Sequence, residues 1–116
     1  MRRKTRVFTM IQPGEIWIAD IRYTDGVSSK KRPVLVLWLD GVDVVVAVVT
    51  TAQPRTETDV VISDWQNAGL RAPSTVRLSR LDCLEQTLLL RRLGMLSAND
   101  RQLIRTVWDA HVKPQF

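Results

Sequence analysis

Apolar residues come in strand-length runs, punctuated by short polar and glycine-bearing stretches, until the last twenty residues, where the spacing changes to that of a helix. Residues 15–23, EIWIADIRY, follow Pro13-Gly14 and mix aromatic with β-branched side chains, which predicts a first strand. A polar loop, YTDGVSSKK, leads to RPVLVLWL and VDVVVAVVTT, two apolar runs separated by Asp40-Gly41. Asp-Gly is a strong hairpin signal because the turn needs residues that accept positive φ. Both runs are apolar on both faces, so they belong in the middle of a sheet that is covered on each side or curled on itself.

After AQPRTE, residues 58–63, TDVVIS, predict a fourth strand, and SDWQNAGL reads as a short helical turn ended by Gly69. STVRLSRLDC alternates through Ser79 and then breaks at Arg80, where a bulge or a functional side chain is expected. TLLLRRLG is short enough to be a last strand. In SANDRQLIRTVWDAH, Ser97 and Asp100 have capping-box spacing, with Asp in the place of the usual Glu or Gln. Leu103, Ile104, Val107, Trp108 and His111 share one helical face. The fold class predicted is mostly β with α: one small, strongly curled antiparallel barrel with a C-terminal helix packed on it.

The register of the hairpin is where chemistry enters. With Asp40 and Gly41 as the central turn residues, Leu39 faces Val42, Arg32 faces Val49 and Lys30 faces Thr51. Arg32, Val49 and Thr51 then share a face, and Arg32 and Thr51 become diagonal neighbours with Cα atoms ~7–8 Å apart. A slip by one residue exchanges Thr51 for Thr50. A guanidinium directly before Pro33 and a doubly buried strand is costly without a partner, which argues that Arg32 serves a purpose. An arginine fork matches a phosphate, and lysines add mobile positive charge. Cleavage of RNA by its own 2′-hydroxyl needs only charge stabilisation and proton transfers around such a phosphate, with no metal and no enzyme nucleophile.

Composition narrows the class without naming a function. The 45% apolar and 25% charged content is that of an ordinary globular chain of 116 residues. The net charge of +5 is concentrated at the start, where Arg2, Arg3, Lys4 and Arg6 hold four of the 17 basic residues. From Met10 onward this leaves 13 basic residues against all 12 acidic ones, so bulk charge says little about a nucleic-acid partner. Residues 1–12 are expected to be a flexible basic leader, or residues 1–9 to lie upstream of a functional start at Met10, with a single domain over 13–113.

Cys83 is the one cysteine and has no pairing or metal-ligand spacing, which favours a reducing, cytoplasmic setting and no metal or other cofactor. No apolar run approaches the ~20 residues of a membrane span. His111 is the one histidine, expected as a packed helix residue, and a two-histidine ribonuclease mechanism is therefore excluded. No Gly-rich phosphate loop or Ser-His-Asp set is present. Asp59, Asp64, Asp82 and Glu85 are explained by capping and solubility. Trp17, Trp38 and Trp108 are expected in the core, leaving Trp65 as the one tryptophan beside a loop.

The succession PGEIWIADI, KKRPVLVL, VVTTAQ, DVVIS, GLRAPSTVRLSRL and LGMLSANDRQLIRTVW resembles the MazF/PemK family of bacterial toxin–antitoxin toxins, from Pro13 to Trp108. The resemblance implies an SH3-like barrel and a homodimeric, metal-independent endoribonuclease. Such an enzyme cuts single-stranded mRNA to 2′,3′-cyclic phosphate and 5′-hydroxyl ends and is neutralised by a cognate antitoxin. It also implies Arg32 and Thr51 as catalytic residues, and Ser28, Ser29, Lys30 and Lys31 as loop contacts to RNA. Gln53, Arg55 and Arg80 are further RNA-binding candidates on this chain. The TDGVSSKK loop is shorter than in well-known members, and Arg80-Leu81 stands where some relatives carry Glu-Gln, which removes one candidate carboxylate base. The alternatives are a gyrase-poisoning toxin of the same fold, which would need a C-terminal Trp-Gly-Ile that is absent here, and a catalytically dead dimeric module.

Overall fold

The computed structural model describes residues 10–22 and 29–116; the basic leader residues 1–9, and Ser28 with the rest of its loop, lie outside the described residues. The strands are β1 (Glu15–Arg22), β2 (Ser29–Asp40), β3 (Asp43–Thr50), β4 (Asp59–Val61), β5 (Thr75–Glu85) and β6 (Leu89–Met95). A 3₁₀ turn, Gln86–Leu88, joins β5 to β6; helix α1 (Ala98–Val107) follows and runs on into a wider π turn at Trp108–Val112. All pairings are antiparallel, in the order β4-β5-β3-β2-β1-β6. The sheet curls without closing, and β2 and β3 lie inside it, as their two-sided apolar pattern requires.

Each face of the sheet carries its own core. On one face Ile16, Leu35, Ala47, Val49 and Leu78 pack with Ile62, Leu70, Leu96 and Ile104, which brings in α1. On the other, Trp17, Ala19, Val34, Val36, Val46 and Val48 pack with Ile11, Leu84 and Leu89. Burying each large side chain contributes ~1.5–3 kcal/mol before chain entropy is set against it. Gly94 permits the close approach of β6 to the turn preceding Gly69: a Cβ there would lie 2.5 Å from the Ala68 carbonyl oxygen.

The hairpin register differs from the one read from sequence. Asp40 pairs with Asp43, so Gly41 and Val42 are the central turn residues, and only Gly41 has positive φ, at 64°. Glycine first and a negative φ second is the pattern of a type II′ turn. A bulge at Leu37 then shifts the pairing by one residue, to Val36 with Val46 and Val34 with Val48. A second bulge falls in β5, where Leu78, Ser79 and Arg80 intervene between the pairs Arg77–Val48 and Leu81–Ala47, at the break in alternation.

At the start of α1, the Ser97 hydroxyl oxygen accepts the Asp100 N–H at 3.1 Å, one half of the expected capping box. The shorter Asp side chain turns to the neighbouring segment instead of back to Ser97, and its two oxygens accept the Ser63 and Asp64 N–H groups at 3.0 and 2.9 Å. Three other expectations are corrected. Leu103 is exposed, because the buried stripe runs through Ile104, Val107, Trp108 and Val112. His111 faces out and its Nε2 pairs with Glu57 at 3.2 Å, because the π turn displaces it from that stripe. Trp38 is 43% exposed, since the Leu37 bulge carries it to the rim, where its ring meets that of Trp108 edge-on with centroids 5.8 Å apart.

Candidate active site at the open end of the hairpin

The first strand opens with a glutamate that is structural. Glu15 is buried, and its carboxylate accepts hydrogen bonds from the Gln12 N–H at 2.8 Å, the Trp17 indole at 3.0 Å and Arg92 Nε at 2.6 Å. Burial pushes its pKa up, but the Arg92, Trp17 and Gln12 hydrogen bonds and the Arg92 charge outweigh it and hold it below the ordinary 4.5. This accounts for the Gly-Glu-Ile-Trp run: the glutamate anchors the tryptophan and ties β1 to β6.

The candidate chemistry lies at the other end of the sheet from the Gly41 turn, where β2 begins and β3 ends. Ala19 pairs with Arg32, which places the half-buried arginine on the face of Ala19, Val34 and Val48. Continuing the observed Val34–Val48 register by two residues sets Arg32 opposite Thr50, so Thr50, rather than Thr51, shares its face. The earlier pairing of Arg32 with Val49 is thereby corrected. Thr51 falls just past the end of β3, exposed in a bend. The Thr50 hydroxyl oxygen accepts the Ala52 N–H at 3.1 Å and so shapes the bend that presents Thr51.

Two residues that the sequence had not pointed to as functional complete this face. Arg77 of β5 pairs with Val48, and Asp59 of β4 pairs with Arg77, so Val34, Val48, Arg77 and Asp59 form one row across four strands. Arg77 Nη1 and Asp59 Oδ2 are 3.7 Å apart, with side chains only 10% and 1% exposed. Arg77 Nη1 and Asp59 Oδ1 are buried without a hydrogen-bond partner. Thr75, paired with Thr50, is also buried on this face. The signal available in the sequence was an arginine within a run buried on both sides, TVRL, next to a strand that opens with Asp59.

Ser29, Lys30 and Lys31 are exposed at the start of β2, and Gln53 and Arg55 are exposed in the segment that leaves β3. These residues, Arg32, Thr50, Thr51 and Arg77 gather at one end of the sheet. Arg80 is exposed on the β5 bulge, a step nearer the Gly41 turn than Arg77. Trp65 is partly buried against the core. Cys83 lies on the far side of that bulge, where desolvation and the Asp43, Asp40 and Asp82 carboxylates push its thiol pKa up, the reverse of an activated nucleophile. The arrangement can bind and polarise a phosphodiester: a cationic entrance, a half-buried guanidinium, an exposed hydroxyl and a second guanidinium behind them.

A sequence profile of the PemK-like, MazF-like toxins of type II toxin–antitoxin systems matches residues 12–108. The chain belongs to this toxin family. No curated relative matches it by sequence. Among solved structures, a mycobacterial endoribonuclease superposes with a TM-score of 0.72 at 16% identity, over 96% of this chain and 99% of the other. The Mycobacterium tuberculosis toxin MazF-mt6 gives 0.66 at 29% identity, over 83% and 94%. A mycobacterial endoribonuclease in complex with its cognate antitoxin gives 0.68 at 21% identity, over 88% and 95%.

Proposed function

We propose that this PemK/MazF toxin is an endoribonuclease that cleaves single-stranded mRNA through attack of the RNA's own 2′-hydroxyl, without a metal ion. The products are a 2′,3′-cyclic phosphate and a 5′-hydroxyl, and loss of mRNA arrests translation and growth. The observation that carries the reading is the convergence of Arg32, the Thr50-Thr51 bend and Arg77 at one basic end of the sheet. Relatives named as endoribonucleases, one of them with its antitoxin, support it.

Arg32 binds the scissile phosphate and stabilises the charge that develops on its oxygens, with a part in proton transfer; a fixed donor in a partly dry site acts without reorganisation. The Thr51 hydroxyl, presented by the Thr50 turn, donates to a phosphoryl oxygen. Arg77, opposite Val48 and ion-paired with Asp59, backs the site from β5. Ser28, Ser29, Lys30, Lys31, Gln53, Arg55 and Arg80 guide the strand, whose bases are splayed and read on their edges. The chain works in the cytoplasm as a homodimer held inactive by a cognate antitoxin. Among the described residues, no helix is long and apolar enough to cross a membrane.

The test is incubation of purified protein with unstructured RNA in EDTA and mapping of the ends. Cleavage with 5′-hydroxyl ends is expected, falling about 10²–10³-fold in Arg32→Ala. No cleavage by the wild type, or undiminished cleavage by the variant, defeats the reading. Growth arrest that survives Arg32→Ala would point to a poisoned protein target such as gyrase, and no arrest by the wild type to an inactive module.

A further inference from the structure

The segment between β3 and β4 carries Thr51, Gln53 and Arg55, yet it is exposed over most of its length and packs little apolar surface. Its order comes from polar ties clustered around Asp59. The Asp59 N–H donates to the Thr56 carbonyl at 3.1 Å, and the Leu78 N–H of β5 donates to the Thr58 carbonyl at 2.9 Å. The Thr56 and Thr58 hydroxyls are 2.9 Å apart. Asp59 Oδ2 accepts the Arg55 N–H at 2.9 Å, and the same oxygen stands 3.7 Å from Arg77 Nη1. Side-chain burial to 1% exposure removes Asp59 from the class of solvated strand-end acids to which sequence alone assigned it.

Resting on the endoribonuclease reading, we propose that Asp59 is a positioning residue for cleavage, which fixes the RNA-guiding loop and the Arg77 guanidinium through a single carboxylate. A buried guanidinium needs a counter-charge. Among the described residues, Asp59 is the one acid whose ion pair with Arg77 is present. Because that carboxylate also caps the Arg55 N–H, the distance between the loop and the guanidinium is set by one rigid group rather than by two independent contacts. Asp59 touches neither the phosphate nor the 2′-hydroxyl; it acts on where Arg77 and the Thr51 bend stand when RNA arrives. A misplacement of about 1 Å in such a constellation is enough to cost about 10²-fold in rate.

The Asn variant separates the two duties, because its amide oxygen still accepts from the Arg55 N–H while the charge facing Arg77 is gone. Asp59→Asn is expected to lower kcat about 10²-fold, with KM for a short RNA changed far less. Arg77→Met keeps the apolar stem and removes the charge. In that background Asp59→Asn should cost no more than about twofold further, the scatter within which uncoupled changes add, instead of the about 10²-fold loss that independent action would repeat. The double variant removes both members of a buried pair, a change proteins usually tolerate. Independently of activity, amide hydrogen exchange at Arg55 should accelerate in Asp59→Ala and stay slow in Arg77→Met.

Wild-type kcat in Asp59→Asn, losses that multiply in the double variant, or unchanged Arg55 exchange in Asp59→Ala each overturn the inference alone, provided the wild type cuts RNA. An inert wild type overturns the endoribonuclease reading and, with it, the role given to Asp59.

Discussion

Removal of the Asp100 carboxylate should be among the most damaging single changes to this fold. Asp100 is 3% exposed, and its two oxygens serve two backbone N–H groups from a segment 36 and 37 residues away, at 2.9 and 3.0 Å. Asp100→Ala leaves both donors without an acceptor. A buried donor left unsatisfied costs ~1–3 kcal/mol, and an acid in the first turn of a helix contributes a further ~0.3–1 kcal/mol. Ser63 is exposed and Asp64 half-exposed, so water recovers part of the loss, and the total comes to about 2–4 kcal/mol. That is a large share of the ~5–15 kcal/mol by which a domain of this kind is stable. Asp100→Asn keeps one acceptor oxygen and turns an NH₂ towards the other donor, so about half the loss is expected.

The assay is urea unfolding followed by tryptophan fluorescence, Trp65 being one residue from Asp64. With m of ~1–3 kcal/mol per molar, the midpoint of Asp100→Ala should fall by about 1–2 M and that of Asp100→Asn by less. A shift below about 0.3 M at unchanged m would show that water replaces the carboxylate without cost, and would refute the bracing role assigned to it.

Other outcomes follow from the same geometry. The folded pKa of Glu15 lies below its ordinary 4.5, so its network contributes stability that is complete above pH 4.5 and is lost as pH falls through the folded value; thermal unfolding across pH 2–7 should show this acid limb in the wild type and a flatter one in Glu15→Gln. Gly94→Ala would set a Cβ 2.5 Å from a backbone oxygen that cannot step aside, and calorimetry should register a loss of about 1–3 kcal/mol or more. Thr51→Val should lower RNA cleavage by about 10²-fold while Thr51→Ser keeps most of it. Thr50→Val should act more mildly, through the Ala52 turn, and a larger effect at Thr50 than at Thr51 would reassign the phosphate contact to the hydroxyl on Arg32's own face.

How much was legible in the sequence depended on how local the cause was. The strands of β1 to β6, the interior placement of β2 and β3, the bulge near Arg80 and the Ser97 cap all follow from periodicity, turn chemistry and capping within about ten residues. The motif resemblance likewise reached the family that the profile over residues 12–108 establishes. Register did not follow, because VLVLWL and VDVVVAVV are apolar on both faces and a one-residue slip leaves their pattern intact. Only the Leu37 bulge and the Gly41-Val42 turn decided that Arg32 shares its face with Thr50.

Partnerships across many residues were equally out of reach. Nothing near Asp100 in sequence points to Ser63 and Asp64, and nothing near Glu15 points to Arg92. Arg77 read as an ordinary strand residue and Asp59 as a solvated strand-end acid until β4 paired with β5 and took both side chains out of water. Local pattern thus determined which segments are strands and which basic stretch deserved scrutiny. Tertiary pairing alone decided which charges are buried together, since the cost of burying a charge depends on its spatial neighbours and not on its place in the chain.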